Sequence, residues 1–248
     1  MKHFINASKI AAAAGLAALA TSAHAQVVGW NLDDWGTVSG AGSYAGVVSA
    51  NNWNNSWPGN PTSNLMDNSG TATTLDLAYS SFNTWHIQGS HPGADADGSF
   101  NRELLNGYLN AGPAAWGPPV TNSSVTLSQV PYAQYDVYVY FSSDTAGRIG
   151  SITDGTTKYY FSTLGPGAIS GVNAALTQTT DTGGLFPLAS YAKFSGETAA
   201  SLTFTCDALG GNDQWLGIAG FQVVAVPEPG TLALAAIGGL ALLRFRRR

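Results

Sequence analysis

The chain has 248 residues, of which only 10% are charged, against about a quarter in typical soluble domains. Aromatic residues make up 11%, too many for a disordered chain, and the formal net charge of -5 argues against a nucleic-acid-binding protein. The single cysteine excludes an internal disulfide and any metal site built from several thiolates of one chain. With 30 glycines, the composition indicates a loop-rich β protein.

The N-terminus has the three parts of a secretory signal. A basic region with Lys2 and Lys9 leads into the apolar residues 10–20 and then into the small residues Ala23 and Ala25. This order is typical of a signal peptide that ends at a small-x-small cleavage site. We therefore expect residues 1–25 to pass through the general secretion machinery and to be removed after Ala25.

Apolar runs and alternating apolar and polar residues predict strands along most of the following chain. In chain order, strands are expected near residues 27–32, 73–79, 82–88, 125–130, 135–141, 156–162, 201–206 and 215–224. The segment 135–141 is apolar on both faces except at Asp136, which is typical of a central strand. One short helix is predicted over Phe100–Leu109, where apolar residues recur at helical spacing. Many strands joined by Gly, Asn, Asp and Pro loops predict one all-β domain over residues 26–226, a β-sandwich or jelly roll.

An aromatic and asparagine-rich stretch, residues 51–58, is the first candidate binding site. Its candidate ligand-binding residues are Trp53, Asn54, Asn55 and Trp57, which Trp85 and Trp116 could extend. An aromatic plane beside amide groups suits a sugar ring, whose apolar face is edged by hydroxyls. The alternative is that the rings close the ends of the sandwich while the asparagines form turns. The other tryptophans that lie in or beside strands are expected in the core: Trp30, Trp35 and Trp215.

The second candidate is a calcium-binding turn at Asp95 and Asp97, which is followed by Gly98. Alternate acidic residues before a glycine suit a hard cation that needs several oxygens around a tight turn. The EF-hand pattern does not fit, because its first position would be Gly93. The alternative is an ordinary turn with solvated carboxylates. If an ion binds, calcium is favoured over zinc because the nearby ligands are mostly oxygens.

The remaining reactive side chains predict structural roles. His86 and His91 are the only histidines outside the signal, and their spacing does not suit two ligands on one helix face. Cys206 is in register with Leu202 and Phe204, which predicts a small buried side chain. The sequence also lacks a Gly-x-Ser-x-Gly elbow, a phosphate loop and a His-Glu-x-x-His helix. We therefore expect no catalytic residues.

The C-terminus carries a second transport signal. The motif Pro227, Glu228 and Pro229 precedes the apolar residues 231–243 and the basic residues Arg244, Arg246, Arg247 and Arg248. As a helix, the 15 residues from 229 to 243 would span about 22 Å, less than the roughly 30 Å hydrocarbon core. The arginines are expected to stay cytoplasmic, which places the preceding domain outside.

This three-part tail closely resembles the PEP-CTERM sorting signal of Gram-negative bacteria, which is sometimes labelled an ice-binding-protein C-terminal domain. That label by itself does not indicate ice binding. The resemblance implies that residues 227–248 comprise the motif, a transmembrane helix and an arginine cluster, processed by a membrane-embedded exosortase. It further implies an inner-membrane-anchored intermediate that is then released to the cell surface or an exopolysaccharide matrix. The alternative is a permanent short anchor with the same topology.

The segments 106–109, 135–141 and 217–224 also resemble, loosely, uncharacterised surface domains that often precede this tail and look like carbohydrate-binding jelly rolls. Without residues 1–25 and 227–248, 4 of the 10 basic and 14 of the 15 acidic residues remain, a formal net charge of -10. Such a domain should repel anionic polysaccharide and nucleic acid, and could attract divalent cations.

We therefore expect an exported, non-catalytic protein of the bacterial surface or biofilm matrix that binds polysaccharide or has a structural role there. One alternative is a secreted carbohydrate-active hydrolase or lyase, although the two glutamates of the domain, Glu103 and Glu197, are 94 positions apart. The other alternative is a calcium-stabilised structural module.

Overall fold

The computed structural model describes residues 25–38, 42–57, 62–111, 121–210 and 215–227. Sequence predictions for Ala23, Trp116, Glu228, Pro229, the transmembrane helix and the four C-terminal arginines lie outside these ranges. Within these ranges, no helix has both the length and the apolar character needed to cross a bilayer. Contacts within the chain group Gln26–Val226 into one compact unit.

The described residues of this unit form fourteen strands, one short α-helix and one 3-10 turn, Gly165–Ala168. In chain order they are β1 Val27–Leu32, β2 Asn54–Ser56, β3 Asp76–Ser80, β4 Asn83–His86, α1 Asn101–Asn106, β5 Gly107–Asn110, β6 Asn122–Ser128, β7 Tyr135–Ser142, β8 Ile149–Thr153, β9 Lys158–Thr163, β10 Gln178–Thr179, β11 Leu188–Ala189, β12 Tyr191–Glu197, β13 Ser201–Ala208 and β14 Gly217–Ala225. The all-β prediction is confirmed, and every predicted strand overlaps an observed one.

Two six-stranded sheets build the fold. The first has the order β10-β12-β7-β14-β1-β2 and the second β11-β9-β8-β13-β6-β3, while β4 and β5 form a separate pair. The long strands β12, β7, β14 and β1 of the first sheet are antiparallel to one another, as are β9, β8, β13 and β6 of the second, while the short strands β10, β2 and β11 add in parallel to β12, β1 and β9. This order, with the chain passing repeatedly between the sheets, is that of a jelly roll.

The main hydrophobic core lies between the two sheets. Phe141 of β7 stacks on Phe161 of β9 with ring centroids 3.6 Å apart, and Phe194 of β12 lies 5.0 Å from Phe204 of β13. Cys206 is fully buried in this core, as predicted. Burial, together with the neighbouring carboxylate of Asp207, raises the pKa of its thiol. The side chain therefore acts as a small apolar residue.

A second hydrophobic cluster covers the outer face of the first sheet. Tyr140 and Ala219 on this face pack against Leu104 and Leu105 of α1 and against Trp53. All but the last residue of β14 is therefore buried, as are six of the eight residues of β7. This double burial explains why residues 135–141 are apolar on both faces.

The predicted helix over 100–109 is wrong beyond Asn106, where the chain becomes strand β5 and pairs with β4. Gly107 makes the change possible. A Cβ at this position would stand 2.6 Å from the Leu32 carbonyl oxygen and 2.9 Å from the Asp34 nitrogen, so only glycine fits against the end of β1. Close packing against β1 thus overrides the helical spacing of the apolar residues.

The buried carboxylate of Asp67 holds the turn between β2 and β3. It accepts hydrogen bonds from the Ser69 nitrogen at 2.9 Å, the Ser69 hydroxyl at 2.6 Å, the Thr71 nitrogen at 3.0 Å and the Gln26 amide at 3.0 Å. Burial alone would raise the pKa of Asp67, but these hydrogen bonds together outweigh it and lower the pKa.

We expect the stability of the domain to fall as the pH drops below about 4. Because the pKa of Asp67 is lower in the native state than in the unfolded chain, its contribution is complete above the unfolded value and is lost as the carboxylate becomes protonated. Urea unfolding at several pH values should show a shallower acid dependence for Asp67→Asn than for the wild type. Equal slopes for the two proteins would contradict this role.

Candidate functional site

The structure places Trp53, the first residue of the predicted sugar platform, inside the protein. Its side chain is buried, and its indole nitrogen donates to the Ala50 carbonyl oxygen at 2.8 Å. The ring lies directly over Gly29, where a Cβ would stand 2.8 Å from the indole. The prediction that Trp53 contacts a ligand is therefore wrong, because its ring is packed within the protein.

Asn54 and Asn55 are also committed to the fold. The Asn54 amide donates to the carbonyl oxygens of Gly29 and Met66 and accepts from the Met66 nitrogen at 2.9 Å. Asn55 accepts from the Val38 nitrogen at 2.9 Å and donates back to the Val38 carbonyl oxygen at 3.0 Å. Their polar groups hold neighbouring loops against β1 and β2, and ligand binding by these two half-buried residues stays a prediction.

Three tryptophans of the described chain are exposed instead: Trp35 at 47%, Trp57 at 48% and Trp85 at 42%. Trp57 and Trp85 are thus exposed, as their predicted contact with a ligand requires. Trp35 was expected in the core, but it follows the end of β1 with a positive φ of 58°, and its ring faces solvent. Of the other two tryptophans expected in the core, Trp30 is fully buried and Trp215 is partly exposed.

All three tryptophans are connected to one short segment, Asp33–Trp35, which contains Trp35 and contacts the chain neighbours of the other two. Trp57 follows β2, which runs parallel to β1, and the Asp33 nitrogen donates to the carbonyl oxygen of the residue before Trp57 at 3.0 Å. Trp85 is linked through its neighbour His86, whose Nδ1 lies 3.1 Å from the Asp34 carboxylate. We use the name tryptophan surface for the set Trp35, Trp57, Trp85, His86 and His91.

His91 is held by a buried glutamate beside Trp35. Its Nδ1 lies 3.2 Å from Oε2 of Glu103, and its ring meets the Trp35 ring edge-on at 5.9 Å between centroids. Glu103 is only 2% exposed, and it also accepts from the Thr37 nitrogen at 2.8 Å and the Gly93 nitrogen at 2.7 Å. The glutamate therefore joins two loops and orients the imidazole at the same time.

His86 repeats this arrangement with a different carboxylate. Asp34, which is 4% exposed, holds its Nδ1, and the Trp85 ring stacks on the imidazole at 4.9 Å and 11°. The two units thus share one plan: an exposed tryptophan, a histidine beside it and a buried carboxylate behind the histidine.

Asn106 fixes the loops that carry both units. Its buried amide donates to the carbonyl oxygens of Trp35 at 2.5 Å and Gln88 at 3.1 Å, and accepts from the Gln88 nitrogen at 3.0 Å. Since Asn106 ends α1, which packs on the first sheet, the tryptophan surface rests on a rigid part of the fold.

The arrangement can recognise a ligand that has an apolar face and hydroxyl groups. A carboxylate only accepts hydrogen bonds, so in a neutral imidazole it favours the tautomer with the proton on Nδ1, in which Nε2 of each histidine is an acceptor. Sequence reasoning missed these units because Asp34 lies 52 positions from His86, and Glu103 lies 12 positions from His91. No pattern in the local sequence indicated that Trp35 lies next to His91 either.

The predicted calcium turn contains a salt bridge. Both oxygens of Asp95 accept from Arg102, one from its Nε at 2.7 Å and the other from its backbone nitrogen at 3.1 Å. Asp97 is exposed and accepts from the Ser99 nitrogen at 2.9 Å. No group of three or more His, Cys, Asp or Glu side chains suited to a metal stands together in the described ranges. Calcium binding at this turn stays a prediction, and it requires an ion that takes the place of Arg102.

Comparison with known families identifies the tail. The PEP-CTERM protein-sorting motif matches residues 225–248, beginning at the last residue of β14. No curated protein is similar enough to the chain to match it. The chain therefore carries a sorting motif that directs it to an exosortase, a membrane protein, and onward to the cell surface.

Proposed function

We propose that this protein binds polysaccharide at the bacterial surface or in the extracellular matrix, without catalysing a reaction on it. The observation that carries the proposal is the tryptophan surface. Burying apolar area is worth about 25 cal/mol per Å², so three large rings left in water forgo a substantial gain. Trp35 in addition holds a left-handed backbone conformation, which for such a residue costs about 1–3 kcal/mol and is typical of functional sites.

The position of the surface in the fold supports this proposal. The chain enters and leaves the domain at one end, because Val27 pairs with Val224 and the Ala225 nitrogen donates to the Gln26 carbonyl oxygen at 2.9 Å. Strand β1 runs from that end to Leu32, and Trp35 follows at the other end. Trp35 thus stands at the end of β1 opposite to Val27.

The carboxylates of the surface favour binding over hydrolysis. A glycosidase needs two carboxyl groups that flank the scissile bond about 5–10 Å apart. Asp34 and Glu103 are instead buried, and each is hydrogen-bonded to a histidine on its solvent side. The rival, a secreted hydrolase or lyase, predicts new reducing ends or unsaturated products when the protein is incubated with matrix polysaccharide.

Replacing both Trp35 and Trp85 with alanine is expected to weaken polysaccharide binding about tenfold, because each lost stacking contact is worth roughly 0.5–1.5 kcal/mol. Affinity electrophoresis of the secreted protein in gels containing matrix polysaccharide measures this change. Both rings are exposed, so the melting temperature should stay within about 3 °C of the wild type.

Leu185→Ala is the matched control, because Leu185 is 87% exposed on a loop outside the tryptophan surface. Its mobility in the gel should equal that of the wild type. Wild-type protein that is not retarded by any matrix polysaccharide would contradict the proposed function, and retardation that survives the double substitution would move the site elsewhere.

A further inference from the structure

We infer that the tryptophan surface takes uncharged sugar residues, whose hydroxyls donate to Nε2 of His86 and His91 while the ring faces lie on Trp35 and Trp85. This inference rests on the proposed polysaccharide binding and adds the chemical class of the ligand. It follows from the hydrogen-bonding state of the two histidines and from the placement of every basic side chain in the domain.

The histidines offer hydrogen-bond acceptors in their neutral form. Asp34 and Glu103 hold the Nδ1 atoms at 3.1 and 3.2 Å, so Nε2 is the nitrogen left for a ligand. The His91 side chain is 51% exposed beside the edge of Trp35. An acceptor next to an indole is suited to a sugar hydroxyl at the rim of a stacked ring.

Gly89 keeps the second acceptor open. A Cβ at this position would stand 3.4 Å from Nε2 of His86, and Gly89 itself is exposed. A hydrogen there leaves room for a hydroxyl group to approach the nitrogen, whereas a branched side chain would cover it. This close approach offers a way to block the acceptor without changing the histidine or the tryptophans.

In the described part of the domain, an anionic polymer finds no basic side chain without a carboxylate partner. Residues 26–226 contain four basic side chains, and all four are paired with aspartates. The pairs are Arg102 with Asp95 at 2.7 Å, Arg148 with Asp144 at 2.5 Å, Lys158 with Asp207 at 3.7 Å and Lys193 with Asp136 at 2.7 Å. Uronate or sulfate groups would instead be repelled by the domain's formal net charge of -10.

A cationic polymer would be drawn by that net charge but not by this surface. Asp34 and Glu103 are buried and already paired with histidines, and the nearby Asp33 accepts from the Thr37 hydroxyl at 2.7 Å. Ammonium groups would therefore bind elsewhere on the acidic domain, with an attraction that salt screens. Stacking and neutral hydrogen bonds depend little on salt, so salt dependence separates the two modes.

The test compares three polymers as ligands of the secreted protein: a neutral glucan, a polyuronate and a polyglucosamine whose amino groups are trimethylated to keep them charged, each at pH 7.5 in 0.05 and 0.5 M salt. We expect retention by the neutral glucan at both salt concentrations. His91→Phe keeps the ring but removes the acceptor and should weaken this retention about fivefold to tenfold. Gly89→Val should weaken it similarly, while Gly167→Val, at an exposed glycine outside the surface where a Cβ meets no other atom, should not.

The outcomes separate the two claims. If neither the three polymers nor native matrix polysaccharide retain the protein, the proposed function is overturned together with the inference. Trp35-dependent retention by the polyuronate in preference to the glucan overturns only the ligand class. The ligand class is also overturned if polyglucosamine alone retains the protein and this retention disappears in 0.5 M salt. Glucan binding that is unchanged in both His91→Phe and Gly89→Val overturns it as well.

Discussion

Trp53→Ala is expected to lower the free energy of unfolding by about 3–5 kcal/mol, the usual loss when a large buried aromatic side chain is removed. The indole fills the space above Gly29 and packs in the cluster that covers the first sheet. Its removal leaves a cavity that the rigid β1 backbone cannot close, and it also removes the hydrogen bond to the Ala50 carbonyl oxygen. Urea unfolding followed by circular dichroism measures the loss.

Trp57→Ala is the matched control for this prediction. The two tryptophans are four positions apart, but Trp57 is 48% exposed and Trp53 is 5% exposed. We expect Trp57→Ala to change the unfolding free energy by less than about 1 kcal/mol. If the two variants lose similar amounts of unfolding free energy, whether both large or both small, the assignment of Trp53 to the core and Trp57 to the surface is contradicted.

Asp95→Ala is expected to cost about 2–3 kcal/mol, because it removes the buried acceptor of a charge-assisted hydrogen bond and leaves the backbone nitrogens of Arg102 and Ala174 without that acceptor. The Asp95 side chain has no exposed area, and besides Arg102 it binds the Ala174 nitrogen at 2.7 Å. Arg102 also donates to the carbonyl oxygens of Gly171 and Val172. The pair thus ties α1 to the loop 171–174, so one substitution loosens both elements.

Asp97→Ala provides the control. Asp97 lies two positions after Asp95 but is exposed, so its substitution should lower the unfolding free energy by less than about 1 kcal/mol. The same melting experiments test calcium. If Asp95 acts through Arg102, a chelator will leave the wild-type melting temperature unchanged. A fall on chelation that calcium reverses, and that Asp97→Asn abolishes, would assign the turn to an ion instead.

Local patterns predicted the strands with the strongest periodicity. The prediction for 27–32 coincides with β1, and 135–141 and 201–206 fall within β7 and β13. The residues of β8, Ile149–Thr153, and β12, Tyr191–Glu197, were not predicted as strands. β8 includes a glycine and a serine that are buried only because β13 and β9 flank it, and β12 is bulged where it pairs with β7. Their strand conformation comes from their neighbours.

The tryptophan surface was predictable only in part. Exposure of Trp57 and Trp85 was anticipated because both were assigned to the predicted sugar platform, whereas Trp53 and Trp35 were assigned the wrong way round. Proximity to a strand says little about the direction of a ring. Trp53 points inward because Gly29 leaves a space for it, and Trp35 points outward because the turn after β1 takes a positive φ.

By itself, the amino-acid sequence determined the all-β class and the C-terminal sorting motif, because both are read from patterns within a few consecutive residues. Only the tertiary structure decided which tryptophans reach solvent and which carboxylates stand behind His86 and His91. Those features depend on contacts between residues up to 52 positions apart, which arise only when packing of the two sheets brings their loops together.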